Sequence, residues 1–230
     1  MLHTNLERFR AIRGQTLSMV QGLSQAQLDF APAPSTWSVG EVVDHLILSV
    51  EIIRRDVAEL IEITKAGKSP LLYRSAAEFN ITAFFIPKCM LPFLEVPFNF
   101  LNMFVPDSIR EFFVRYRLIP ARAADTATPR PDRFAVELRD GLRLSLEELE
   151  ALFAANPNLD YDTMMHQHPL LGTQNVPHLL YIMGLHEERH QAQISDLLAD
   201  SRFPMGGPDI QNPRLSSAST GTGEATSARG

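Results

Sequence analysis

The chain has 230 residues, a formal net charge of −6, 45% hydrophobic residues and one cysteine. That length is most simply a single domain with a real apolar core, and the negative charge argues against general affinity for a nucleic-acid backbone. Cys89, standing alone, excludes an internal disulfide framework and fits a reducing cytosol, so a cytoplasmic protein is expected.

Met1 to Arg13 is polar and amphipathic, without the apolar run of a signal peptide. Leu2, Leu6, Phe9, Ile12 or Arg13, Thr16, Met19, Val20 and Leu23 recur at three-four spacing, which predicts a first helix ending near Gly22. Its charges, Glu7, Arg8, Arg10 and Arg13, read as a solvated face. The prolines of Ala31-Pro-Ala-Pro-Ser-Thr36 forbid helix and make a connector. A second helix then opens on a strong signal: Ser38-x-x-Glu41 is a capping box, and Trp37 is placed to staple onto Val42. Val39, Val42, Val43, Leu46, Val50, Ile53 and Val57 form its apolar face. His45 lies on the flank of that stripe and, taken alone, reads as a helix-flank histidine. Glu41 and Asp44 read either as partners of a nearby site or as surface carboxylates.

Regular periodicity is lost from about residue 66 to 142. Ile86 to Val105 is rich in Phe, Leu, Met and Val, but prolines 87, 92 and 97 interrupt it, and Lys88 and Glu95 fall inside. A spanning helix needs ~20 apolar residues without such breaks, so a transmembrane segment is rejected. The run is expected to fold back on the helices, burying Phe84, Phe93, Phe98, Phe100 and Phe104. A lid, a homodimer contact and a membrane-surface contact are the alternatives kept open for it. Asp107 or Ser108 caps a short helix through Ile109, Phe112, Phe113 and Tyr116, and residues 121–132 read as loop. Ser145-x-x-Glu148 is a second capping box, with Leu144 and Leu149 as staple, opening a third long helix that stops at Asn156-Pro157. Met164 to Gly172 reads as a loop whose His166 and His168 either reach a site or, as is usual for loop histidines, are just solvated. Residues 203–230 are dense in Gly, Pro, Ser and Thr and are expected to form a disordered tail that can be removed without effect.

Between these lies the most informative stretch, a predicted helix from Asn175 to Asp200. At about 100° per residue, Leu179, Ile182, Met183, Ile194 and Leu197 share one face, and His186, His190 and Gln193 fall inside that stripe. Two imidazoles at i and i+4 point the same way, at ligand spacing. They are either hydrogen-bonded core histidines or part of a metal site, since a buried polar group needs a partner. His186-Glu187-x-x-His190 also matches the H-E-x-x-H pattern of metalloproteases, in which the Glu is a general base. That alternative lacks a third ligand downstream: no His follows His190, and the only later Glu is Glu224, in the expected tail. The elements together predict an all-α fold, a four-helix bundle over residues 1–202. A long crossover and apolar insertion of about 66–142 lies between its second and third helices.

Trp37-Ser-Val-Gly-Glu-Val-Val-Asp-His45-Leu46, His168-Pro-Leu-Leu-Gly172 and His186-x-x-Arg-His190-x-x-Gln-Ile194 occur in an order that resembles the DinB-like superfamily of four-helix metalloproteins. That group includes bacillithiol transferases and mycothiol-dependent isomerases. The resemblance covers residues 1–65 and 143–200, and the apolar segment Ile86 to Val105 departs from it. It implies a divalent metal, zinc or nickel by preference for nitrogen ligands, held by His45, His186 and His190. It further implies a transferase or hydrolase acting on a small electrophilic substrate with a low-molecular-weight thiol as co-substrate. Gln193 is then the first candidate to orient a ligand or bound water, with Glu187 and Glu41 as weaker candidates for a proton acceptor. Arg189 reads as a structural ion pair rather than a substrate anchor. A non-catalytic bundle with a structural metal or a ligand pocket is the competing reading.

Overall fold

The computed structural model describes residues 1–74, 127–168 and 172–205, with the isolated positions 106, 108 and 111. The expected Phe-rich fold-back, the short helix after Asp107 and the disordered tail fall outside the described residues, apart from the first few positions of that tail. Among the described residues there are five helices: α1 (Leu2–Val20), α2 (Gln25–Leu28), α3 (Val39–Lys65), α4 (Ala135–Ala154) and α5 (Val176–Leu198). The all-α expectation holds, with one small addition. Three short strands, β1 (Leu71–Tyr73), β2 (Met165–His168) and β3 (Gly172–Asn175), form a sheet in the order β1-β2-β3.

Local chemistry explains where the helices start and stop. Ser38 caps α3 as expected: its Oγ accepts from Glu41 N at 3.1 Å, while the Glu41 carboxylate accepts from Ser38 N at 2.7 Å. At the other end Lys68 N donates to Ile63 O and Gly67 N to Thr64 O, a Schellman turn. It requires the left-handed φ of 68° that Gly67 supplies. That turn sends the chain into β1, which pairs in parallel with β2, Leu71 opposite Met165 and Tyr73 opposite Gln167. Asn175 caps α5 through its Oδ1, accepting from His178 N at 3.0 Å.

Two expectations are corrected here. The third long helix begins at Ala135, so Ser145 lies in mid-helix and is no cap; its hydroxyl is buried and accepts from Arg13 Nη1 at 3.0 Å. The sequence motif was genuine, but a helix already running leaves no orphan N–H for it to satisfy. The stretch from Met164 is strand rather than solvated loop, and His166 is fully buried. Its Nε2 meets Asp56 Oδ2 at 2.8 Å, and Arg74 donates to Asp56 Oδ1 from the other side.

Burial alone would raise the Asp56 carboxyl, but the His166 and Arg74 hydrogen bonds and charges outweigh it and hold it below its ordinary value of 3.8. A depressed carboxylate stabilises the fold above its unfolded pKa and loses that contribution as pH falls through the folded one. Asp56→Asn should therefore cost a constant amount of stability from neutral pH down to about 4 and a shrinking amount below. Urea midpoints of both proteins across that range check this; parallel curves throughout would refute it.

The four long helices pack in pairs, α1 on α5 and α3 on α4, with α1 also touching α4 and α3 touching α5. Gly184 lets α1 approach α5, since a Cβ there would meet Arg8 Nη1 at 2.9 Å and Ile12 Cδ1 at 3.0 Å. Among the described residues the core has two large apolar blocks and a small cluster of Ile182 and Leu185 on α5. One block gathers Phe9 of α1, Val57 and Leu60 of α3, Leu149 of α4 and Leu180 of α5. The other gathers Val20, Val42 and Leu46, Leu142, and Ile194 and Leu197 from the same four helices. Along α1 and α5 a run of polar residues lies between the blocks, Arg13 and Thr16 on one and His186, Glu187 and His190 on the other, beside the apolar Ile12 and Leu185. A polar layer therefore crosses the middle of the protein, and it has two halves.

Candidate metal centre

On the α1 side the layer is an ion pair. Arg13 was expected on a solvated face, but it is 0% exposed and Glu187 is 1% exposed. Arg13 Nε donates to Glu187 Oε1 and Nη2 to Oε2, both at 2.8 Å, and Thr16 Oγ1 adds a bond at 2.6 Å. Arg13 Nη1 reaches the Leu142 carbonyl at 2.9 Å. Nearly every lone pair and proton is thus satisfied, which is the condition for burying such a pair. Spacing admitted Arg13 to the inward face and its charge argued against it; α5 buries a second face against α1, so a charge on each helix lies inside.

On the α3 side the layer is made of imidazoles. His45 of α3 and His186 and His190 of α5 come together, their nearest ring nitrogens all within 4.8 Å of one another. His45 Nε2 and His186 Nε2 are 3.2 Å apart. His45 Nδ1–H donates to the Ala127 carbonyl at 2.7 Å, which leaves a lone pair on Nε2 facing inward. His190 Nδ1–H donates to Gln193 Oε1 at 2.9 Å, with the same consequence for its Nε2. Two of the three rings are thus held in the tautomer a metal ligand needs by groups behind them. His186 is the exception: its Nδ1 is buried without a hydrogen-bond partner.

The protonation states agree with this geometry. Burial pushes His45 down to about 4, helped by the Arg189 charge and opposed by Ala127 O and Asp44. Burial and the neighbouring His190, Arg189 and His45 also push His186 well below 6.5. Both rings are neutral at pH 7, with lone pairs available. Such a donor set fits a divalent ion of borderline softness. The nitrogens of ligands ~2.1 Å from one tetrahedral ion lie roughly 3.4 Å apart, close to the 3.2 Å between His45 and His186 and inside the 4.8 Å that bounds the group.

The other predicted site residues divide. Gln193 stands behind His190, where a ligand-orienting group was expected. Glu187 is turned to α1 and committed to Arg13, away from the imidazoles. Glu41 is committed to the α3 cap. His166 pairs with Asp56 and His168 lies beside His166, ring centres 6.2 Å apart, neither within the imidazole group.

Two contributors, Trp37 and Arg189, were given other roles by the sequence reading, and a third, Asp44, was left open between a site partner and a surface carboxylate. Trp37, assigned only to a staple, lays its indole against two of the rings, 4.9 Å from His45 and 6.4 Å from His190. Asp44 is fully buried one residue before His45, accepting from Arg130 N at 2.8 Å and Arg130 Nη2 at 2.7 Å, and from Arg133. It thereby clamps the segment that carries Ala127. Arg189, assigned to an ion pair, donates from Nη2 to His190 Nε2 at 3.0 Å. Spacing along α5 foretold none of these, because each contact depends on how a side chain or loop is folded onto the site.

A family model described as the DinB superfamily matches residues 8–194. No curated protein and no solved structure gives a significant match.

Proposed function

The chain belongs to the DinB superfamily, and from that membership and the imidazole geometry we propose a metal-dependent enzyme that joins a low-molecular-weight thiol to a small electrophile. The observation that carries this reading is a group of three convergent imidazoles that, among the described residues, gains no fourth His, Cys, Asp or Glu. Three protein ligands are the signature of a catalytic site with an open position, whereas structural sites are closed by four. His45, His186 and His190 would hold a divalent ion, which when bound would supply Lewis acidity and lower the pKa of a thiol.

The chain's own residues do the rest. Ala127 O and Gln193 Oε1 fix two rings and their tautomers. Trp37 walls one side with an apolar face that limits water. In transfer, the thiol sulfur forms a bond to the electrophilic carbon, the carbon's bond to its leaving group breaks, and the thiol proton departs with that group. Hydrolysis, with water in place of the thiol, is the other outcome such a site permits. The H-E-x-x-H protease reading loses its general base, because Glu187 is buried in its pair with Arg13.

The test loads untagged protein with zinc or nickel and supplies a simple thiol and an alkyl halide. Metal-dependent thioether seen by mass spectrometry supports transfer. Alcohol alone moves the reading to hydrolysis, and protein that takes up no metal ends it. Gln193→Ala should weaken metal binding roughly 10–100-fold without altering the helical circular dichroism. Competition with a chromophoric chelator measures this, and unchanged affinity would remove Gln193 from the site.

A further inference from the structure

Where His45 and His186 meet, a proton and a metal ion compete for the same nitrogen. Ala127 O can only accept, so the proton of His45 sits on Nδ1 and its Nε2 keeps a lone pair. Both rings are neutral: burial lowers them, and among the described residues no carboxylate joins their group. The 3.2 Å between His45 Nε2 and His186 Nε2 is therefore a hydrogen bond that His186 donates, with its one proton on Nε2. That bond ties α5 to α3 and aims His45 inward. It also makes His186 Nδ1 a buried lone pair without a partner. To hold a divalent ion, each ring must turn a lone pair towards the other two. His45 and His190 carry theirs on Nε2, because Ala127 O and Gln193 Oε1 hold their protons on Nδ1. His186 does not. Resting on the metal-binding part of the reading above, we propose that His186 is a tautomer switch, its Nε2–H positioning His45 until a metal ion takes that nitrogen and the proton moves to Nδ1.

The step balances within one ring. The Nε2–H bond breaks, an Nδ1–H bond forms, and the ring is neutral before and after. The two nitrogens of an imidazole cannot pass a proton directly, so water carries it between them. The cost falls on this ligand alone of the three. Its new Nδ1–H is a buried donor that no acceptor among the described residues meets, whereas the other two rings keep their partners throughout. A missing outer partner typically costs about 10–100-fold in metal affinity, so His186 is the ligand most readily returned to its bond with His45. A histidine that served only as a preset ligand would keep one tautomer with and without metal.

The experiment uses untagged full-length protein whose histidine rings carry the heavy nitrogen isotope. Long-range proton–nitrogen NMR spectra then show which nitrogen of each of the seven histidines bears the proton. His45→Ala, His186→Ala and His190→Ala identify the three sets of signals by their loss. Chelator-treated wild type should show the proton on Nε2 in His186 and on Nδ1 in His45 and His190. One equivalent of Zn²⁺ should move the His186 proton to Nδ1 and leave the other two in place. In chelator-treated His186→Ala the His45 Nε2 signal should shift downfield, because its donor is gone. A His186 proton found on Nδ1 before zinc, or still on Nε2 with zinc bound, overturns the switch and leaves the metal reading standing. A His45 Nε2 signal unmoved in His186→Ala likewise overturns it, since no proton was being donated. Wild type that takes up no zinc ends the metal reading and the switch with it.

Discussion

His186→Ala and His190→Ala proteins should each lose stoichiometric metal while keeping the helical fold. A site with two imidazoles and, among the described residues, no carboxylate in the group holds a first-row ion far more weakly than one with three imidazoles. His45→Ala should do the same, with one difference in its consequences. His45 also holds the Ala127 carbonyl, so its loss frees a backbone acceptor as well as a ligand. The apolar blocks on either side of the polar layer contain none of these rings, which is why folding should survive. Metal analysis of untagged protein, beside thermal melts of the metal-free forms, separates the two effects. Metal retained at full occupancy in His186→Ala would show that the ion sits elsewhere.

The second large effect lies on the other half of the layer. Arg13→Leu should destabilise the protein by about 3–5 kcal/mol, the usual cost of stripping one partner from a buried pair. In a chain of this size that lowers the melting temperature by on the order of 10 °C. The cost arises because the Glu187 carboxylate, 1% exposed, is left charged with only Thr16 to bind it. Replacing both charges together, Arg13→Leu with Glu187→Leu, should recover most of the loss, since no charge is then stranded. Denaturant unfolding of the two singles and the double closes the cycle. A double mutant as unstable as the sum of the singles would show that the pair's worth is in packing.

Much of this was legible in the sequence because it depends on local rules. The Ser38 cap is a contact within four residues, and the i,i+4 imidazoles share a helix face whatever the helix packs on. What escaped depends on choices made at long range. Arg13 looks solvated until α5 is known to bury two faces. Ser145-x-x-Glu148 has the letters of a cap, but only the chain upstream decides whether a helix is already under way. His166 looked like a loop residue because β2 is four residues long and its partner β1 lies far away in sequence. Short strands carry too little periodicity to be seen.

Asp44 and His45 are consecutive on α3, yet they hold the same returning segment by two different points, Arg130 and the Ala127 carbonyl. The far end of the crossover is therefore tethered to the imidazole cluster, and the two equilibria are linked. If seating residues 127–133 against α3 strengthens the grip on a metal by some factor, a bound metal strengthens the seating by that same factor. Anything that pulls on the crossover is felt at His45 without touching it, and anything that fills the site is felt along the chain that leads back to α4.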